Sequence, residues 1–217
     1  MTTAVKGRHP DPGRPGQART RLARRAVVES ARSLFLERGY AATTIDAISE
    51  RSDVPPATVY RLFPGKLGIL TAVLDTSIAG GDDDVALVDR PEVAVLVAQS
   101  DPRQQLAGFA GINVAISRRS ADVYRILVGA AGSDAEAAAL LAEYTRRRDS
   151  GQGQIAGLLA RTGALRPELT ERDAADIIHA LMSPELYRML VIERGWSPGR
   201  YEKWLAEALA AQLLPSR

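Results

Sequence analysis

The chain has no cysteine and only two histidines, His9 and His179. Without thiols there is no disulfide, no thiolate zinc site and no cysteine nucleophile. So little imidazole also disfavours histidine-built metal and catalytic centres. Apolar runs stay well short of the ~20 residues of a membrane span. The N-terminus is polar and basic and lacks the apolar stretch of a secretory signal. Strand-like alternation and internal repeats are missing throughout. So are a nucleophile–base–acid set, paired carboxylates with a cleft, and a glycine-rich phosphate loop after a strand. These absences predict a cytoplasmic protein with no membrane partner. They also predict that it is not an enzyme and has no catalytic residues, metal or cofactor.

What is present is a chain of 217 residues, 46% hydrophobic, enough for one large domain or two small ones. The formal net charge of +2 hides a split. Residues 1–66 hold 12 Lys+Arg against 6 Asp+Glu, and residues 67–217 hold 16 against 20. A basic front on an acidic body points to a polyanionic partner for the front.

Residues 1–19 are rich in Gly, Pro and Arg without periodicity, which predicts a flexible basic arm. Ala23, Val27, Ala31, Leu34 and Phe35 then recur at helical spacing, with Gly39 as a stop. Thr43-Thr44 offers a cap for a short helix to about Ser52. Asp53-Val54-Pro55 makes a tight turn, 56–62 a third short helix, and Pro64-Gly65 breaks the chain before a fourth helix from Lys66. Further back, Pro91 to Ala98 forms one or two helical turns, and Asp101-Pro102 opens a helix. Ser120 caps the next one. Asp134 opens a long helix to about Arg161, and Thr170 to Asp173 resembles a capping box. Pro184 interrupts the following helix, and Ser197-Pro198 starts the last. The expectation is an all-α protein of about nine helices. Its divisions are an arm over 1–19, a basic helix-turn-helix unit over 20–66 and a larger helical body over 67–217.

Short helices with a tight turn between the second and third form a helix-turn-helix, whose third helix is short enough to lie in a major groove. Residues 21–74 strongly resemble the tetracycline-repressor (TetR) family. The anchors are Gly39-Tyr40, Thr43-Thr44, Val54, Thr58-Val59-Tyr60, Phe63, and Lys66 with Leu70. The resemblance implies that Thr44 caps the second helix and touches a phosphate. It implies that Ala57, Thr58 and Arg61 face the groove, and that Tyr60 and Lys66 hold phosphates. Arg61 is the only long cation within the third helix and is the expected base reader. Arg14, Arg19, Arg21, Arg24 and Arg25 are expected to follow the DNA backbone or to enter the minor groove. The sequence departs from the family pattern at Asp53, where Gly is usual, at Pro55, where a capping Ser is common, and at Asp46 and Leu62. Asp tolerates a left-handed backbone, so the turn is expected to survive.

The resemblance also implies a small-molecule ligand and a homodimer on a palindromic operator, with repression relieved by the ligand. A pocket is expected among Phe109, Ile112, Asn113, Ile116, Tyr124 and Leu127, where Asn113 is notable because a buried amide needs partners. The last two helices, about 171–193 and 198–214, are expected to pair with their copies through Ile178, Leu181, Met182, Tyr187, Leu205 and Leu209. His179 reads as a satisfied core or interface residue. The rival reading is a helical small-molecule carrier without specific DNA binding.

Overall fold

A computed structural model describes residues 15–80 and 91–215. Residues 1–14 of the expected arm, Arg14 included, lie outside that description, as do residues 81–90 and 216–217. The described residues are helical throughout, without strands, and they match the all-α expectation. In chain order they are α1 (Pro15–Ala42), α2 (Ile45–Ser52), α3 (Pro56–Leu62), α4 (Gly65–Ala79) and α5 (Pro91–Val97). Then follow α6 (Pro102–Ala131), α7 (Ala135–Arg161), α8 (Glu171–Leu181), α9 (Pro184–Tyr187) and α10 (Pro198–Leu213). A π-helical segment, Arg188–Glu193, continues directly from α9.

Several local expectations hold. Gly39 has φ +78°, which ends the regular part of α1 at the foreseen position. Asp134, Thr170, Ser183 and Ser197 each accept a backbone N–H in the first turn of the helix that follows. Thr170 and Asp173 form a reciprocal capping box.

Two expectations are corrected. α1 begins at Pro15, so residues 15–19 are helical and not arm. Pro is well suited to a first helical position, and no Gly or Pro follows it until Gly39 apart from Gly16. Ser120 caps nothing, because α6 runs unbroken for 30 residues. Its hydroxyl instead donates to the Ile116 carbonyl one turn back, the bond that lets a serine sit inside a helix.

α6 packs on α1, α4, α7, α9 and α10, and it crosses two separate apolar cores. The first joins Val27, Leu34 and Phe35 of α1 to Ile48, Val59 and Phe63, to Leu70 and Val73 of α4, and to Val123 and Leu127 of α6. The second joins Leu106 and Phe109 of α6 to Leu159, Ile178, Tyr201, Leu205 and Leu209. The front helices therefore share a core with the far end of α6. Any movement of α6 or α4 is felt by α1 to α3, because close-packed interiors transmit displacement.

Candidate nucleic-acid interface

The turn between α2 and α3 is built by its own backbone. Asp53 adopts φ 52°, ψ 34°, and its N–H reaches the carbonyls of Ser49 and Glu50. It is the only non-glycine residue with positive φ among those described. The short polar side chain of Asp makes that conformation tolerable where Gly is usual. Ser49 was not singled out from the sequence. Its buried hydroxyl donates to the Val54 carbonyl at 2.6 Å and ties the turn shut. Ser49→Ala leaves that carbonyl without its partner. The expected cost is about 1–2 kcal/mol, read as a lower denaturant midpoint with unchanged slope.

Thr43 and Thr44 divide two tasks. Thr43 is fully buried and donates to the carbonyls of Gly39 at 2.8 Å and Leu34 at 3.3 Å, pinning the end of α1. Thr44 is exposed and accepts the Ala47 N–H at 3.1 Å, capping α2 as expected. Its place at the start of α2 also leaves it accessible to a phosphate. Pro55 precedes α3 without a side-chain cap, so that cap is absent as foreseen.

α3 has 7 residues and turns Val59 and Phe63 into the first core. The opposite side presents Ala57, Tyr60 and Arg61 to solvent, with Thr58 half-buried beside them. The Tyr60 side of the helix is open, with that residue 60% exposed. After Phe63 the chain turns sharply. Pro64 at φ −75°, ψ 65° and a Gly65 N–H to Phe63 carbonyl bond of 2.8 Å define an inverse γ-turn. Gly65 then takes φ +81°, so a side chain there is strained.

The cations around α3 are of two kinds. Arg61 is exposed and makes no hydrogen bond or ion pair with the described residues. Lys66, Arg24 and Arg25 are already engaged. The Lys66 ammonium donates to the Tyr40 carbonyl at 2.8 Å and sits 4.3 Å above the Tyr40 ring. Burial there holds its pKa below the usual lysine range. Lys66 thus fastens the start of α4 to the end of α1. Arg24 reaches the Leu62 carbonyl at 3.3 Å and lies 4.6 Å over the Phe63 ring, so it braces the C-terminus of α3. Arg25 pairs with Glu29 one turn on at 2.8 Å. A further ion pair, Arg51 to Glu37 at 2.6 Å, ties α2 to α1 and lowers the Glu37 pKa.

Residues 27–73 match the family model of bacterial regulatory proteins, tetR family. The front of this chain is therefore that of a TetR-family transcriptional regulator. Over 181 residues it is 29% identical to YdeS, an HTH-type transcriptional regulator of Bacillus subtilis strain 168. That alignment covers 81% of this chain and 82% of YdeS. Solved structures with the same fold include a protein of Saccharomonospora viridis in complex with choline. It has a TM-score of 0.67 and 20% identity, over 89% of this chain and 98% of that one. The fatty acid degradation regulator FadR of Bacillus halodurans matches with a TM-score of 0.65 and 16% identity, over 86% and 93% of the two chains. Members of the family bind DNA and small molecules and act as dimers. No single helix of the described residues of this regulator is long and apolar enough to cross a membrane.

The residues expected at the rear fare differently. Phe109 is buried in the second core and Leu127 in the first. Ile112, Asn113, Ile116 and Tyr124 are half-buried. The Nδ2 atom of Asn113 is buried with no hydrogen-bond partner among the described residues. The residues expected at the dimer interface pack within their own protomer. Ile178, Met182, Tyr187, Leu205 and Leu209 all belong to the second core of their own protomer, and Leu181 is half-buried against it. A side chain without exposed area has none to give to a partner. The apolar stripe of these helices faces inward, and the sequence signal for burial did not say against what. Met189 and Ile192 of the π-helical segment are the large apolar side chains left exposed on this part of the molecule.

Proposed function

We propose that this regulator is a dimeric repressor that reads a palindromic operator with α3 and is released by a small-molecule ligand. In this reading residues 20–66 are the DNA-reading unit. Residues 67–217 sense the ligand and form the dimer. Arg61 reads bases, with Ala57 and Thr58 beside it in the groove. Thr44 and Tyr60 hold phosphates, and Lys66 does so with whatever N–H its bonds to α1 leave over. Arg24 and Arg25 add positive charge near the backbone, but their first role is to brace α1 and α3.

The observation that carries this reading is the division of α3. One side is locked into the core through Val59 and Phe63, and the other offers a free guanidinium and an open tyrosine. Release follows from population shift: a ligand that prefers a dimer with wrongly spaced recognition helices lowers DNA affinity. α4 is the connection, because it shares the first core with α3 and touches both α6 and α7.

The test is fluorescence anisotropy on DNA from just upstream of the regulator's own gene, against a scrambled duplex, at two salt concentrations. Tight binding to the native duplex that weakens steeply with salt is the expected result, since phosphate contacts release counterions. Absence of binding to either duplex at low salt, with ligand-free protein, returns the carrier reading.

A further inference from the structure

A polar layer separates the two apolar cores, and it contains a guanidinium that is only partly used. On α6 the cores change over between Ala121 and Val123, and on α7 between Tyr144 and Ile155. Within that interval of α7, Thr145, Arg148 and Gln152 share one face of the helix. His179 of α8, Glu185 of α9 and Tyr124 of α6 meet them. Arg148 Nη2 lies 2.7 Å from His179 Nε2, while His179 Nδ1 lies 3.1 Å from the Gln152 amide oxygen and 2.6 Å from Asp149. With arginine donating to Nε2, the ring proton sits on Nδ1, shared by Gln152 and Asp149.

The remaining arm of the guanidinium is different. Arg148 Nη1 is buried and has no hydrogen-bond partner among the described residues. The nearest carboxylate is Glu185 at 3.8 Å, an ion pair without a hydrogen bond. The Arg148 side chain is 21% exposed and that of Glu185 57%, so Glu185 is the more open partner of the pair. The Tyr124 hydroxyl belongs to the same layer, where burial first and the neighbouring Glu185 charge second hold its pKa above the usual tyrosine range. Glu185 belongs to the single-turn α9, between the Pro184 break and the π-helical segment. Such irregular segments shift at less cost than regular helix and recur at functional sites.

We propose that the ligand of this regulator is a small monocarboxylic acid with an apolar body, whose carboxylate takes the place of Glu185 on Arg148 Nη1 and the Tyr124 hydroxyl. The inference rests on the reading of the rear bundle as ligand-sensing and adds the ligand's chemical class. An unused guanidinium N–H asks for an acceptor oxygen, and a ligand carboxylate can make the charge-assisted hydrogen bond to Nη1 that Glu185, at 3.8 Å, does not make. One charge fits better than two, because Arg148 brings a single positive charge and Asp149 lies against the same histidine. The cores on either side supply apolar surface for the rest of the molecule. Displacing Glu185 moves α9. The same stretch of α7 is tied to α4 by the Tyr144 hydroxyl, which donates to Asp75 at 2.5 Å. Ligand entry therefore acts on the helix that positions α3.

The experiment uses the full chain with hexanoate, octanoate, decanoate and benzoate, each compared with its primary amide and its matching amine. Melting temperature and calorimetric affinity are the readouts. The acids are expected to stabilise the protein and the amides to be inert. Arg148→Gln is expected to weaken the best acid about a hundredfold, with an unchanged circular dichroism spectrum. Glu185→Gln, which removes the competing carboxylate, is expected to tighten it about fivefold. Amides that bind as well as acids overturn the proposal. So do amines that bind in their place and lose affinity in Glu185→Gln, and so does a panel in which no acid binds either wild type or Glu185→Gln. Acids that bind without releasing DNA support the site and count against the repressor reading alone.

Discussion

Phe63→Ala is expected to destabilise the front of the molecule by about 3–5 kcal/mol, the range for removing a large aromatic side chain from a packed interior. Phe63 is 3% exposed and lies in the first core with Val27, Val59 and Leu70. It also forms the C-cap of α3, where its N–H reaches the Val59 carbonyl, and the surface on which Arg24 rests. The truncation thus removes core volume, the C-terminal brace of α3 and the wall beside the γ-turn together. The expected readout is a melting temperature lower by roughly 10 °C, since each kcal/mol moves a domain of this size by ~2–4 °C. DNA affinity should fall for every sequence alike, because α3 loses its seat. Phe63→Leu restores much of the volume and should recover most of both. An Ala variant that melts with wild type would show that the front unit is not held by this core.

Arg61→Ala is expected to behave in the opposite way. The side chain is exposed and unpaired, so stability should stay within about ±0.5 kcal/mol of wild type. Affinity for the operator should fall by about 1–3 kcal/mol, while affinity for random DNA changes little, which is the signature of a base contact. Lys66→Ala provides the contrast. It loses the bond to the Tyr40 carbonyl and, on the proposed reading, a phosphate contact, so specific and random DNA should both weaken and the salt slope should fall by about 1. Competition anisotropy with operator and scrambled duplexes measures all of these. Equal losses on both duplexes for Arg61→Ala would move the base-reading role elsewhere on α3.

The front of the molecule was largely legible from its amino acids. Its signals are local: a glycine at φ +78°, a threonine cap, an aspartate able to turn left-handed, a Pro-Gly break. Each is set by steric limits within a few residues, so spacing alone carries it. The bracing contacts were not legible in the same way. Ser49 to Val54 is a short-range bond, yet nothing in an isolated serine tells a turn pin from a surface hydroxyl. Arg24 and Lys66 looked like DNA-facing cations, and their contacts to Leu62 and Tyr40 come from residues 38 and 26 positions away.

The rear shows the limit more clearly. Periodicity identified Ile178, Leu205 and Leu209 as apolar faces, and they are buried. Burial against a partner and burial against one's own α6 give the same periodic pattern, because both remove the same side chains from water. The sequence by itself determined that this protein is all-α, where most of its helices start and stop, and which short helix faces outward with a free arginine. Tertiary structure alone decided that there are two cores with α6 crossing both, and that Ile178, Leu205 and Leu209 pack against their own protomer. It also decided that Arg148, His179, Glu185 and Tyr124 meet between the cores. Helix signals act within about one turn of the chain, whereas the meeting of four helices depends on packing between residues far apart in sequence.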